Sequence, residues 1–270
     1  MTTSRSLQRP EGRIAYDLAG GPTGPLVVCL PGMGELRSSY RHLVPLLVER
    51  GYRVACLDLR GHGDSDATFG SYDDEALATD ALALVEELGG PAYLIGNSMG
   101  AGAAVIAAAE RPEQVLGLAL IGPFVRNPAG GRLATLLFRL ALVKPWGPAA
   151  FMSYYPKWVP GTRPEGYDEH RDLIAANLRR PGHWRAFVHT TRTSHAPAEA
   201  RVGDVTAPAI VVMGADDVDW KDPAAEARWL GEALSAEVVM APGVGHYPQM
   251  QVPAVVADAV DRLARSTPRA

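Results

Sequence analysis

The stretch that decides the fold is Ala92-Tyr93-Leu94-Ile95-Gly96-Asn97-Ser98-Met99-Gly100-Ala101-Gly102. A short apolar run ends at Gly96, and a run of small apolar residues begins at Ala101. This pattern predicts a buried strand, a sharp turn with Ser98 at its tip, and a buried helix. The glycines two residues before and after Ser98 remove side chains that would collide across so tight a turn. The turn therefore presents the serine hydroxyl beside the N-terminus of the helix, where negative charge is favoured.

Apolar runs and helical periods alternate on both sides of this turn. Further strands are predicted for 26–30, 52–57, 116–122, 209–214 and 237–240, with one or two edge strands in 7–18. Helices are predicted for 38–49, 73–88, 224–234 and 253–265. The alternation predicts an α/β fold with a mostly parallel sheet and helices on both faces. Sheets of this kind bind ligands at the carboxyl ends of their strands, and Ser98 lies at that edge.

Three further motifs accompany the serine turn. They are Leu30-Pro31-Gly32-Met33-Gly34 upstream, the loop Asp58-Leu59-Arg60-Gly61-His62-Gly63-Asp64-Ser65, and Gly243-Val244-Gly245-His246 near the end. Together with the serine turn they resemble the α/β-hydrolase superfamily, and the resemblance spans nearly the whole chain. It implies an α/β-hydrolase fold with a catalytic triad, and it says little about the substrate.

The resemblance implies Ser98 as the nucleophile, Asp217 as the acid and His246 as the base. Asp217 stands three residues past Gly214, where the family carries its acid, and Asp219 is the alternative if the turn is shifted. His246 lies in a glycine-rich loop just before the final helix, a position that the other six histidines lack. The order Ser, Asp, His is that of α/β-hydrolases. No acid follows the strand predicted at 116–122, so the acid is not expected there.

The same resemblance assigns the oxyanion hole to the backbone N–H groups of Met33 and Met99. Two fixed donors of this kind stabilise the charge that develops on a carbonyl oxygen. The family more often has histidine where this chain has Pro31. His62 is expected to be structural, because the loop that contains it is structural in the family.

Residues 124–204 interrupt the alternation of strands and helices. They contain ten of the nineteen aromatic residues, and 133–143 is strongly apolar with a helical period. We predict a helical cap at 124–204 over a core formed by 1–123 and 205–270. The aromatic side chains either wall a pocket for an apolar substrate or pack the cap onto the core, and the second interpretation is preferred for most of them.

The predicted cap is basic, with 12 Lys and Arg against 6 Asp and Glu, whereas the remainder has 14 against 24. A solvated basic outer face explains this difference. The alternative hypothesis is that the cap favours an anionic substrate.

Composition excludes several classes of function. The net charge is −4 with no run of basic residues, which argues against a nucleic-acid partner. The only cysteines, Cys29 and Cys56, lie in apolar runs and are expected to be buried thiols. No segment predicts a signal peptide or a membrane span, so we expect a soluble, cytoplasmic protein without a membrane partner. No metal-ligand cluster or cofactor-binding motif is apparent, so neither a metal nor a cofactor is expected.

These residues together predict a serine hydrolase that cleaves a carboxylic ester, lactone or thioester of a small to medium hydrophobic substrate. The alternatives are a carbon–carbon bond hydrolase, whose turn often reads Gly-Asn-Ser-Met-Gly, and a cofactor-free perhydrolase or haloperoxidase. A small-molecule receptor with a slow or vestigial triad is an alternative of another class. The substrate-binding residues and the oligomeric state are left open.

Overall fold

The computed structural model describes residues 2–128 and 140–266. Most of the helix predicted for 133–143, with Phe138, lies outside the described residues. The strands, in chain order, are β1 (Thr3–Arg9), β2 (Gly12–Ala19), β3 (Leu26–Leu30), β4 (Arg53–Leu57), β5 (Ala92–Asn97), β6 (Val115–Ile121), β7 (Ala209–Gly214) and β8 (Glu237–Ala241). The helices are α1 (Leu43–Glu49), α2 (Asp74–Glu87), α3 (Met99–Glu110), α4 (Gly147–Tyr154), α5 (Tyr167–Arg179), α6 (His183–Thr190), α7 (Ala196–Arg201), α8 (Pro223–Ala233), α9 (Pro248–Gln251) and α10 (Pro253–Ser266). Short 3-10 helices cover Arg37–Tyr40, Pro112–Gln114, Tyr155–Trp158 and Val202–Asp204.

The eight strands form one sheet in the order β1-β2-β4-β3-β5-β6-β7-β8. The pairs β1–β2 and β2–β4 are antiparallel, and all other neighbours are parallel. The predicted α/β architecture and the order of its elements are confirmed. Since β3, β5, β6, β7 and β8 are parallel, the loops that carry the candidate site residues all leave the same edge of the sheet.

Helices cover both faces of the sheet because its central strands are apolar on both sides. In β3, Val28 and Leu30 belong to the apolar cluster beneath α2, α3 and α8. Val27 and Cys29 belong to the opposite cluster, which includes residues of α1 and α10. Cys29 lies opposite Cys56 in the register of β3 and β4, and both are buried free thiols, as expected.

Between β6 and β7 the described chain is helical, from α4 to α7. Most of its aromatic residues belong to a third buried cluster that includes Leu36, Tyr247 and Met250 of the remainder. The division of the chain into a core and a cap at 124–204 stays a prediction, and residues 124–204 are called the predicted cap below. Among the described residues, none of the helices is long and apolar enough to cross a membrane.

Candidate active site

Ser98 occupies a strained turn between β5 and α3, with φ of 57° and ψ of −124°. A residue with a side chain rarely adopts a positive φ, and such strain concentrates at functional sites. A Cβ on Gly96 would lie 2.3 Å from the carbonyl oxygen of Gly100, and a Cβ on Gly100 would lie 2.3 Å from that of Leu30. Glycine is therefore required at both positions for the turn to close.

His246 and Asp217 lie in the loops after β8 and β7. The Nδ1 atom of His246 donates to the Oδ2 atom of Asp217 at 2.7 Å, whereas the carboxylate of Asp219 is 3.6 Å away. The backbone N–H of Asp219 in turn donates to Oδ1 of Asp217 at 3.0 Å. The geometry therefore pairs His246 with Asp217 and places Asp219 beside the pair.

Contacts from the end of β5 bring the loop of His246 to the serine turn. The side-chain amide of Asn97 donates to the carbonyl oxygens of His246 at 3.0 Å and of Ile121 at 3.1 Å. The backbone N–H of Phe124 donates to the carbonyl oxygen of Ser98 at 3.1 Å, and the Phe124 ring packs edge-on against the imidazole of His246 at 5.6 Å. Ser98, Asp217 and His246 therefore lie at one edge of the sheet.

Gly122, directly after β6, lies against the Asp217–His246 pair. A Cβ at this position would lie 2.9 Å from the carbonyl oxygen of His246 and 3.5 Å from Oδ2 of Asp217. A side chain after β6 would thus collide with the pair, which agrees with an acid that comes from β7 rather than β6.

Two carboxylates control the charge of His246. Burial alone lowers the pKa of an imidazole, but the negative charges of Asp217 and Asp219 and the hydrogen bond to Asp217 raise the pKa of His246 to about 9. Burial raises the pKa of Asp219 above its usual value, and the charge of Asp217 acts in the same direction. The environment therefore favours the imidazolium form, which develops when a histidine accepts a proton.

The predicted oxyanion donors, Met33 and Met99, have free backbone N–H groups: neither donates to any group among residues 2–128 and 140–266. Their loops lie close together, since a Cβ on Gly32 would approach the Cβ of Ser98 to 2.8 Å. Both amides are therefore available to an oxygen bound beside Ser98.

His62 supports the loop that contains Met33. Its Nε2 atom accepts a hydrogen bond from the N–H of Gly34 at 3.2 Å, and its Nδ1 atom contacts the carbonyl oxygen of Arg60 at 3.0 Å. Burial lowers the pKa of His62 to about 4, so the ring is neutral and its Nε2 can accept. The structural role expected for this histidine agrees with these contacts.

Aromatic side chains surround the site in two groups. Phe124 and Trp220 pack together beside His246, with ring centroids 4.8 Å apart. Phe151 and Phe187 approach Gly34 so closely that a Cβ there would lie 2.7 Å and 3.0 Å from them. Phe151 and Phe187 belong to the buried cluster that the predicted cap shares with Leu36, Tyr247 and Met250. We therefore interpret these two rings as packing the predicted cap onto the remainder of the chain.

Basic residues of the predicted cap gather away from Ser98. A groove of about 480 Å³ contains no acidic residue among those that line it and includes neither Ser98 nor His246. Its cations are Lys144, Arg179, Arg180, Arg185 and Arg192. This arrangement is that of a basic outer face, and the hypothesis of an anionic substrate stays a prediction.

Asp217, Asp219 and His246 are the one group of metal-ligating side chains that cluster within the described ranges, with atoms within 4.8 Å of one another. The Nδ1 atom of His246 already shares a proton with Asp217. A cation would have to displace that proton. The donor set therefore fits proton transfer better than metal binding.

Two buried acid–histidine contacts near the site carried no signal in the sequence. Glu35 contacts His170 at 2.8 Å, and Asp74 contacts His195 at 2.7 Å. Each pair joins residues more than a hundred positions apart. Neither histidine lies in a glycine-rich loop before the final helix, where the catalytic base is expected. Sequence reasoning therefore missed them, because neither composition nor local spacing reports such a contact.

A family model described as the alpha/beta hydrolase family matches residues 27–259. The 2-(acetamidomethylene)succinate hydrolase of Mesorhizobium japonicum is 26% identical over 259 residues, which cover 92% of this chain and 91% of that protein. A crystal structure of a bacterial membrane phospholipase A superposes with a TM-score of 0.82 at 24% identity, covering 98% of this chain and 86% of that one. The 2-hydroxy-6-oxo-6-phenylhexa-2,4-dienoate hydrolase of Rhodococcus superposes with a TM-score of 0.81 at 20% identity, covering 98% and 99%.

Proposed function

Because the chain belongs to the alpha/beta hydrolase family and is a hydrolase of that family, we propose that it cleaves carboxylic esters, lactones or thioesters of small to medium hydrophobic substrates through an acyl-enzyme on Ser98. The observation that carries the proposal is the 2.7 Å hydrogen bond between His246 and Asp217 beside the strained turn of Ser98. The free N–H groups of Met33 and Met99 support it, since an acyl transfer needs donors for the developing oxyanion.

In the proposed reaction the Oγ atom of Ser98 attacks the carbonyl carbon while Nε2 of His246 takes the serine proton. Asp217 holds the imidazole in the tautomer with its proton on Nδ1 and stabilises the imidazolium. The N–H groups of Met33 and Met99 donate to the oxyanion of the tetrahedral intermediate. His246 then gives its proton to the leaving oxygen or sulfur, and the acyl group stays on Ser98.

Water completes the cycle by the same steps in reverse order. His246 takes a proton from the water as it attacks the acyl-enzyme, and returns that proton to Oγ of Ser98 when the acid leaves. The aromatic rings of Phe124 and Trp220 beside His246 favour an apolar acyl or alcohol group.

The test combines a fluorophosphonate probe with a series of p-nitrophenyl esters of increasing chain length. Labelling of Ser98, located by peptide mapping, together with steady release of p-nitrophenol is the expected result. Labelling with a single turnover would instead favour a receptor with a slow triad or another chemistry. Loss of a vinylogous diketone chromophore would then identify a carbon–carbon bond hydrolase, and peroxide-dependent halide oxidation a haloperoxidase. Absence of labelling would contradict the assignment of Ser98 as the nucleophile.

A further inference from the structure

Glu35 closes the turn that presents the N–H group of Met33. The backbone N–H of Glu35 donates to the carbonyl oxygen of Gly32 at 3.1 Å, so residues 32–35 form a tight turn with Met33 and Gly34 at its centre. Gly34 has a φ of +79°, a conformation that favours glycine. The position of the Met33 amide is therefore fixed by whatever holds the two ends of this turn.

The side chain of Glu35 is completely buried, and both of its oxygens bind residues of the predicted cap. Its Oε1 atom accepts from the hydroxyl of Tyr155 at 2.5 Å, and its Oε2 atom accepts from Nε2 of His170 at 2.8 Å. The Nδ1 atom of His170 lies 3.2 Å from Oγ of Ser38. His170 therefore also contacts the segment that follows the turn. These three side chains, Glu35, Tyr155 and His170, are called the Glu35 network below.

The carboxylate of Glu35 is stabilised in its charged form although it is buried. Burial by itself raises the pKa of a carboxyl group, but the charge of His170 and the hydrogen bonds from His170 and Tyr155 hold the pKa of Glu35 below its usual value. A buried carboxylate whose partners are removed is strongly destabilised, so both partners must stay in place for the turn to keep its position.

The other side of the turn is held by His62. The N–H of Gly34 donates to Nε2 of His62, as described above. The turn is thus held between His62 on one side and the Glu35 network on the other. Between these two supports, the N–H of Met33 has no partner among the described residues.

The 3-10 helix Tyr155–Trp158 also contacts the loop of His246. The ring of Tyr155 stacks on that of Tyr247 with centroids 5.9 Å apart. The backbone N–H of His246 donates to the carbonyl oxygen of Trp158 at 2.9 Å, and the indole N–H of Trp158 donates to Oδ1 of Asp219 at 2.8 Å. One short segment of the predicted cap therefore contacts both the oxyanion turn and the acid–base pair.

We propose that the Glu35 network is a positioning unit, which fixes the Met33 N–H in the oxyanion hole and makes its position depend on the docked segment Tyr155–Trp158. This inference rests on the proposed function for its kinetic consequence, but the position of the turn is measurable without turnover. Glu35, Tyr155 and His170 are positioning residues in this account, since they act through the backbone of Met33.

The first test is an NMR measurement on protein labelled with ¹⁵N-methionine. The chain has seven methionines, so few amide signals appear, and they include those of both predicted oxyanion donors, Met33 and Met99. The variants are Tyr155→Phe and Glu35→Gln. Tyr154→Phe is the matched control. It removes a hydroxyl from the neighbouring residue, and that hydroxyl makes no hydrogen bond to a described residue.

The expected result is that the Met33 signal moves in Tyr155→Phe and Glu35→Gln, and not in Tyr154→Phe. The signals of Met213 and Met240, in β7 and β8, stay in place and show that the fold is intact. An unmoved Met33 signal in Tyr155→Phe would overturn the proposal, as would equal movement of all methionine signals. Tyr155→Phe loses only a hydroxyl and carries the test alone if Glu35→Gln does not fold.

The second test is ester hydrolysis by the same variants. Loss of a whole oxyanion donor lowers kcat by about 10²- to 10³-fold, so a displaced donor is expected to lower kcat by roughly 10- to 100-fold in Glu35→Gln and less in Tyr155→Phe, with KM nearly unchanged. A rise in KM at constant kcat would contradict a positioning role. Wild-type protein without ester turnover would disprove the proposed function, whereas the NMR result would still decide whether the network fixes the turn.

Discussion

Two buried aspartate–histidine pairs each place their imidazole against the ring of Phe124. Asp217–His246 and Asp74–His195 have the same Nδ1–Oδ2 distance of 2.7 Å, and the imidazoles lie 5.6 Å and 5.5 Å from the ring of Phe124. A hydrogen bond between an acid and a histidine is therefore not sufficient to identify a catalytic pair. The surroundings of each pair make the difference.

The pair Asp217–His246 lies beside a strained serine and a second carboxylate, Asp219. The pair Asp74–His195 instead joins the first residue of α2 to the residue that precedes α7 in the predicted cap. Burial raises the pKa of Asp74, and His195 only partly offsets this. The first pair has the surroundings of an acid–base catalyst, and the second those of a structural contact between two segments.

The largest expected effect is on kcat, and it comes from replacing the serine beside each aspartate–histidine pair. Ser98→Ala should lower kcat by roughly 10⁵- to 10⁶-fold, because no other group of the proposed mechanism can form the acyl-enzyme. Ser194→Ala, next to His195, should change kcat less than about threefold. Ester hydrolysis by both variants measures the difference, and near-wild-type activity in Ser98→Ala would refute the nucleophile assignment.

The next effect distinguishes the two carboxylates near His246. Asp217→Asn should lower kcat by roughly 10⁴-fold, since asparagine favours the wrong imidazole tautomer. Asp219→Asn should lower kcat far less. The Asp219 oxygen lies 3.6 Å from Nδ1 of His246, whereas the Asp217 oxygen lies at 2.7 Å. Steady-state kinetics at fixed pH compares them, and the opposite ranking would move the acid to Asp219.

The same substitution in the second pair should affect stability instead of chemistry. Asp74→Asn weakens the hydrogen bond to His195, so it should lower the free energy of unfolding by about 1 kcal/mol. The value of kcat should stay within about threefold of wild type. Urea denaturation alongside ester hydrolysis measures both quantities. A loss of activity as large as that of Asp217→Asn would show that the second pair also takes part in catalysis.

The smallest effect concerns the pH dependence. The base must be neutral to accept the serine proton, so kcat/KM should rise with pH through the pKa of His246, which lies at about 9. Asp219→Asn removes a negative charge that favours the imidazolium, so the rise should move to lower pH by up to about one unit. A pH–rate profile of wild type and variant tests the shift, and Asp74→Asn is the control that should leave the profile unchanged. A shift to higher pH in Asp219→Asn would contradict the assigned electrostatics.

Local patterns in the sequence were sufficient for the fold and for the candidate nucleophile. The apolar runs predicted β3 to β8 within one or two residues. The signal is continuous where a strand is buried on both faces, as in β3. The turn at Ser98 was readable because glycine is required at fixed positions two residues away on each side. His246 was readable in the same way, from a glycine-rich loop between the last strand and the last helix.

Other features depended on contacts between distant segments, and only the tertiary structure decided them. The sequence allowed either Asp217 or Asp219 as the partner of His246, and the choice depends on how the loops after β7 and β8 pack. The Asp74–His195 pair and the Glu35 network join residues 120 to 135 positions apart. A buried carboxylate needs a partner. The sequence does not tell which residue that is, since any of the seven histidines can donate a hydrogen bond to a carboxylate. The sequence thus determined which elements form and which residues carry reactive groups, whereas folding decided which of those groups meet.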